Sequence, residues 1–214
     1  MKRFIFLISL IISVTTLTAQ QKILFDNTKN ETAGNADWVI DNDQPIPSPS
    51  QSGITLSTLE NYWLGGLSSW GVEMVKQGFW VETLPSSGRI TYGDATNVQD
   101  LSNYKILVVC EPNNPFTSSE KTAMLNFVYN GGGLFMVADH AIADRDNDGW
   151  DALMVWNDFM TNNSIKNNPF GFVFDAGSNI SAIPTLNVSI QSDDPIIHGI
   201  REVLKESNFT MVQQ

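Results

Sequence analysis

A single cysteine, Cys110, occurs in 214 residues, so no intrachain disulfide can form even in a compartment that would permit one. Basic residues are also scarce: 12 Lys and Arg stand against 23 Asp and Glu, for a net charge of −11. Such a surface repels phosphate backbones and anionic lipid, which argues against nucleic acid and bare membrane as partners and in favour of cations. There are two histidines, His140 and His198. No GxSxG elbow is present. The run Asn130-Gly-Gly-Gly133 leads into a strand-like segment instead of opening a helix, the wrong polarity for a phosphate cradle. Long apolar runs are missing as well. The longest, Phe4 to Val14, is too short to span a bilayer.

That run comes after Lys2-Arg3 and ends in a small and polar stretch at Ala19-Gln20, which is the layout of a secretory signal peptide. Residues 1–20 are therefore read as a leader and 21–214 as one domain, secreted or periplasmic. No cysteine at the junction is available to carry a lipid. Loss of Lys2 and Arg3 makes the remaining chain still more acidic.

Beyond residue 20 the hydrophobic periodicity predicts alternating strands and helices. Strands are expected at Gln21–Phe25, Phe79–Leu84, Lys105–Cys110 and Leu134–Ala138, and the unbroken apolar run of the third suits burial on both faces. Helical spacing runs from Leu56 to Gln77, broken or restarted near Gly65-Gly66. A second helix is capped by Thr117 or Ser118 with Glu120 in its first turn, and a third covers Ala152 to Met160. Two short strands, Phe170–Phe174 and Leu186–Ile190, and a short helix at 201–206 are expected near the end. This order argues for an α/β fold, a three-layer doubly wound and mostly parallel sheet.

Ligands of such sheets collect beyond the carboxyl ends of the strands. Those ends carry Asp26-Asn27, Glu111 and Asp139-His140. Crowded carboxylates there either raise one another's pKa or hold a cation, and a metal on Asp139 and His140 can activate water with Glu111 as base. The plainer alternative is that these acids cap strands and bind loop amides. Just beyond, Asp144, Asp146, Asp148 and Gly149 occupy positions 1, 3, 5 and 6 of a calcium loop. Its twelfth position is Val155, so Asp151, Asn157, Asp158 or Asp139 would have to close the shell; otherwise the stretch is a solvated turn capping the next helix. His198 can meet His140 across the site or simply pack in its turn. Trp150 or Trp63 can offer a stacking face to a sugar or belong to the core. Cys110 reads as a small core hydrophobe or, less simply, as a reactive thiol.

From Leu101 to His140 the pattern LSNYKILVVCEPNN, a helix near Phe-Thr-Ser-Ser-Glu, then FVYNGGGLFMVADH resembles the class I glutamine amidotransferase-like superfamily, which is flavodoxin-like. Asp194-Pro-Ile-Ile-His-Gly-Ile200 is similar to a late turn of that superfamily. The stretches ADWVIDND, YWLGGLSSWGVE and DRDNDGWD look like a group of exported bacterial proteins within it. The resemblance implies a catalytic cysteine on the turn after Leu134–Ala138, where this chain has Asp139 or His140. Cys110 lies one strand earlier. Members lacking the cysteine look like sugar-associated or binding domains, and one branch carries histidine on this turn. The resemblance also implies another strand and helix past Ile200, so the domain is expected to be curtailed at its C-terminus. The resulting expectation is a ligand-binding domain for a carbohydrate or another small molecule, with a Ca2+-linked loop at Asp144, Asp146, Asp148 and Asp151, and Asp26, Asn27, Trp150 and His198 at the ligand. The alternative is a metal-dependent hydrolase using His140, Asp139 and Glu111.

Overall fold

A computed structural model describes residues 20–42 and 47–174, together with the short strands at 186–187 and 210–211. The strands β1 (Lys22–Asp26), β2 (Trp80–Leu84), β3 (Ile106–Cys110) and β4 (Gly133–Val137) form one sheet in the order β2-β1-β3-β4. All its pairings are parallel, with Ile23 opposite Val81 and Ile106, and Val108 opposite Phe135. The helices are α1 (Ser68–Lys76), α2 (Ser118–Tyr129) and α3 (Ala152–Thr161). Among the described residues no helix is long and apolar enough to cross a membrane.

Side-chain alternation along the strands divides the core between two faces. Leu24, Leu107 and Val109 point toward α2 and α3, where they meet Met124, Phe127, Val155, Trp156 and Phe159. Ile23, Phe25, Val81, Val108 and Cys110 point the other way, toward Val72 of α1 and the buried Ile40 and Trp63. The result is the three-layer, flavodoxin-like α/β architecture that the strand–helix alternation indicated. The order of strands reverses between β1 and β3, so the crevice at their carboxyl ends is the topological switch point.

Helix α2 begins with a complete capping box: the Glu120 amide donates to Thr117 Oγ1 at 3.3 Å, and the Thr117 amide donates to Glu120 Oε2 at 2.7 Å. Thr117→Ala should therefore cost about 1 kcal/mol in a denaturant titration.

Two expectations need correction. The helical spacing from Leu56 onward yields a helix only from Ser68; before it the chain turns irregularly, leaving Leu56, Leu59, Tyr62 and Leu64 exposed. Gly65 explains the interruption. A Cβ there would lie 2.0 Å from the Val39 carbonyl oxygen, so this backbone is pressed against another strand of chain. Phe170–Phe174 forms no strand either. Its rings instead stack along α3, Phe170 on Phe159 at 6.4 Å and Phe174 on Trp156 at 6.2 Å. Leu186–Asn187 is a strand, β5, paired antiparallel with β6 (Thr210–Met211). The helix expected at 201–206 lies outside the described residues.

Candidate functional site

The carboxyl edge brings together Asp26, Glu111, Asp139 and His140. It adds a residue that no local pattern marked, Glu31. This side chain is fully buried (0% exposed), and its Oε2 accepts the Lys29 amide at 2.7 Å. Asp26, 1% exposed, accepts the amide and the hydroxyl of Thr28, each at 3.2 Å. Burial pushes the Asp26 carboxyl up to about 6 and Glu31 well above the ordinary range. The Asp26 charge adds to burial in raising Glu31, whose Oε1 is buried with no hydrogen-bond partner. Beside them Asn27 Oδ1 is buried with no donor.

Glu111 stands at the end of β3 in a left-handed conformation, φ 54°, and is 1% exposed. No protein donor hydrogen-bonds to either of its carboxylate oxygens, and Arg145 Nη2 stands off at 3.7 Å. Burial, then the charge of Asp139, raise this carboxyl to about 8 against the opposing pull of Arg145. Arg145 is the organiser of the edge. Its guanidinium reaches Asp139 Oδ2 at 3.1 Å and Asn35 Oδ1 at 3.0 Å, while its amide donates to Asn113 Oδ1 at 2.9 Å. His140 Nδ1 lies 3.0 Å from Asp139 Oδ2, and its ring is 55% exposed, so the outer nitrogen faces solvent.

Arg145 belongs to the loop whose aspartates were read as cation ligands. One carboxylate oxygen from each of Asp144, Asp146 and Asp148 lies within 4.8 Å of the others, a grouping that could hold a metal ion. The loop is wound for it. Asp144 accepts the amides of Asp148 at 3.1 Å and Gly149 at 2.9 Å, which holds its carboxyl below the usual range, and Gly149 turns at φ 95°. Asp148 accepts the Trp150 amide at 2.9 Å. Asp146 Oδ2 accepts the side-chain amides of Asn30 at 2.5 Å and Asn114 at 3.4 Å, whereas its Oδ1 is buried without a donor.

Asp151 is not brought into this group. It is the N-cap of α3, one oxygen accepting the Met154 amide at 2.8 Å and the other the Ile142 amide at 2.7 Å. The other candidates for a closing ligand are engaged too: Asn157 binds the backbone of Phe174 through both ends of its amide, and Asp158 pairs with Lys121. Val155 is core. Trp150 packs half-buried against the α2 and α3 side, and Trp63 lies in the core on the α1 side. Cys110 is buried, its thiol pushed up to about 12 by burial and by the nearby Glu31 and Glu111 charges, which is the behaviour of a packed residue. His198 lies outside the described residues.

An open cleft of about 430 Å³ sits where α1 begins, lined by Asp37, Glu60, Asn61, Trp63 and Ser69 among others. The Trp38 amide, next to Asp37, donates to the Glu31 carbonyl at 3.2 Å, so the cleft and the buried acids share one loop. No protein-family model, curated protein or solved structure matches this chain.

Proposed function

We propose that this chain is an exported ligand-binding domain whose carboxyl edge is ordered by a divalent cation, Ca2+, held at Asp144, Asp146 and Asp148. The observation that carries this reading is the convergence of three carboxylates, with Asp146 Oδ1 buried and without a donor, in a loop that also supplies Arg145. Hard oxygen ligands at alternate positions ahead of a glycine turn suit calcium, with water completing the shell. An ordered loop fixes Arg145, and Arg145 fixes Asp139. The ligand this edge suits is a small polar molecule such as a carbohydrate, whose hydroxyls would donate to Asp139 or to the acids of the neighbouring cleft. The resemblance to cysteine-free members of the amidotransferase-like superfamily points the same way.

A second reading, hydrolysis, is favoured by the contact between His140 Nδ1 and Asp139 Oδ2, which leaves the outer ring nitrogen free for a metal or a water proton. One experiment separates the two. The protein is stripped with chelator and melted with added calcium, magnesium, manganese or zinc. At a hundredfold excess over Kd, calcium should stabilise by about 2.7 kcal/mol. For a domain of this size that raises Tm by about 5–10 °C. The rise should vanish in Asp146→Ala. Stabilisation by zinc or manganese that is lost in His140→Ala would favour the hydrolase, and indifference to every ion would refute the cation loop.

A further inference from the structure

The open cleft at the start of α1 lies where two stretches of chain cross. The amide of Gly65 donates to the Ile40 carbonyl at 3.2 Å, and that of Leu67 to the Val39 carbonyl at 2.9 Å. Asn42 Nδ2 donates to the Leu64 carbonyl at 3.2 Å, while the Leu64 amide donates to Asp41 Oδ1 at 3.3 Å. The crossing is close because positions 65 and 66 are glycine: added Cβ atoms would lie 2.0 Å from the Val39 oxygen and 2.3 Å from the Asp37 oxygen. Ser68 Oγ accepts the Trp63 amide at 3.1 Å and donates to the Glu60 carbonyl at 2.6 Å. These walls are tied before any ligand arrives, so binding there carries little ordering cost.

The cleft's volume of about 430 Å³ falls in the range of small-molecule sites, roughly 300–1,000 Å³. Its lining carries charge of one sign. Asp37 and Glu60 both belong to it, and no basic side chain does. The ion pairs among the described residues involve neither acid. Asp37 Oδ1 is shielded from solvent and has no hydrogen-bond partner, so this carboxylate is short of a donor. Leu64, 65% exposed, and Trp63 supply apolar lining beside them. Two carboxylates underfill the oxygen shell of a divalent ion, and among the described residues no third acid joins them. An organic cation fits better. Its ammonium head brings three donors, its apolar body covers Leu64, and a chain of net charge −11 attracts it.

We propose that this cleft binds a small organic cation, an ammonium head on a short apolar body, with Asp37 and Glu60 receiving the head and Leu64 against the body. The site does not depend on the cation loop, since none of the residues that tie its walls belongs to 144–148. An NMR titration of the full chain at neutral pH tests it, with benzylammonium as probe and benzyl alcohol and methyl glucoside as neutral comparisons. Benzylammonium should shift the Asn61, Gly65 and Gly66 amides saturably. Benzyl alcohol, which has the same ring and no charge, should bind at least roughly tenfold more weakly. Equal binding of the alcohol, a response to the glucoside alone, or no response to any of the three overturns the proposal.

Charge-neutral variants locate the head. Asp37→Asn and Glu60→Gln should each weaken benzylammonium at least roughly tenfold, the loss expected when a charged hydrogen bond becomes a neutral one. Asp94→Asn, which removes a carboxylate outside the cleft lining, should leave its affinity unchanged. An equal loss in all three variants would reduce the binding to general attraction by an acidic chain and reject the site. Glu60 is exposed, so Glu60→Gln decides alone should Asp37→Asn unfold, and full affinity in that variant also rejects it.

Discussion

Glu111→Gln is expected to leave stability unchanged near pH 4 and to raise it above pH 8 by roughly 5 kcal/mol. In the folded chain this carboxyl titrates near 8, far above the ordinary glutamate value of 4.5. Between those two values the unfolded chain has released the proton while the folded chain keeps it. Folding then takes up a proton, so stability falls as pH rises through this window and the full penalty applies above it. Below about pH 4.5 both states are protonated and nothing is lost. Glutamine has the shape of the protonated acid and can donate to Asp139 in the same way, so it removes the penalty without opening a cavity. Urea denaturation at pH 4, 6 and 8.5 reads the difference. An equal effect at all three values would mean that Glu111 is ionised in the folded chain and balanced by Arg145. Asp26 and Glu31 are raised in the same direction, so the glutamine variant should flatten the wild-type decline only in part.

Trp156→Ala should cost about 3–5 kcal/mol, the range for deleting a fully buried aromatic ring. The indole is completely inaccessible and meets Phe116, Phe159 and Phe174 at centroid distances of 5.4, 5.7 and 6.2 Å. Its N–H donates to the Val137 carbonyl at 3.0 Å, and that carbonyl also accepts the Glu111 amide. One ring therefore anchors α3, the Phe170–Phe174 segment and the end of β4 below the acids. Trp156→Phe keeps most of the packing and leaves that carbonyl its second donor, so it should cost only about 1 kcal/mol. A loss in the alanine variant no larger than in the phenylalanine variant would show that the neighbouring rings collapse into the space.

The strands were legible because Ile-Leu-Val-Val-Cys is apolar along its whole length and its counterparts carry short apolar runs, a pattern that two covering layers favour. β1 and β4 lie one residue away from the expected spans at both ends, in opposite directions, and β2 and β3 begin one residue later than expected; Gln21 and Lys105 use backbone groups in the ladder without opposing a partner residue. Alternation in Phe170–Phe174 misled because ring stacking on a helix produces the same spacing as a strand. The helical spacing of Leu56, Leu59 and Tyr62 misled because nothing in it records that Gly65 must lie against Val39. At the site, Asp26, Glu111, Asp139, His140 and the three loop aspartates were found from strand ends and spacing. Glu31 was not, because its burial is decided by contacts with segments distant in sequence. Asp151 was read as a ligand because a cap and a ligand are the same residue type just before a helix.

The turns leading into β2 and β4 pass through Gly78 and Gly131, at φ 92° and 89°, where such geometry is nearly free. At the opposite edge the left-handed positions include Asn30, Glu111, Ile142 and Asn147, and the branched, exposed Ile142 is the costliest of them. In energy-landscape terms the chain is least frustrated where it only has to reverse direction, and its local conformational preferences conflict with the fold where the acids converge. Relieving that conflict, for instance with glycine at position 142, would be expected to deepen the native basin while loosening the loop that carries Arg145, so this edge is where stability and function would be traded against each other.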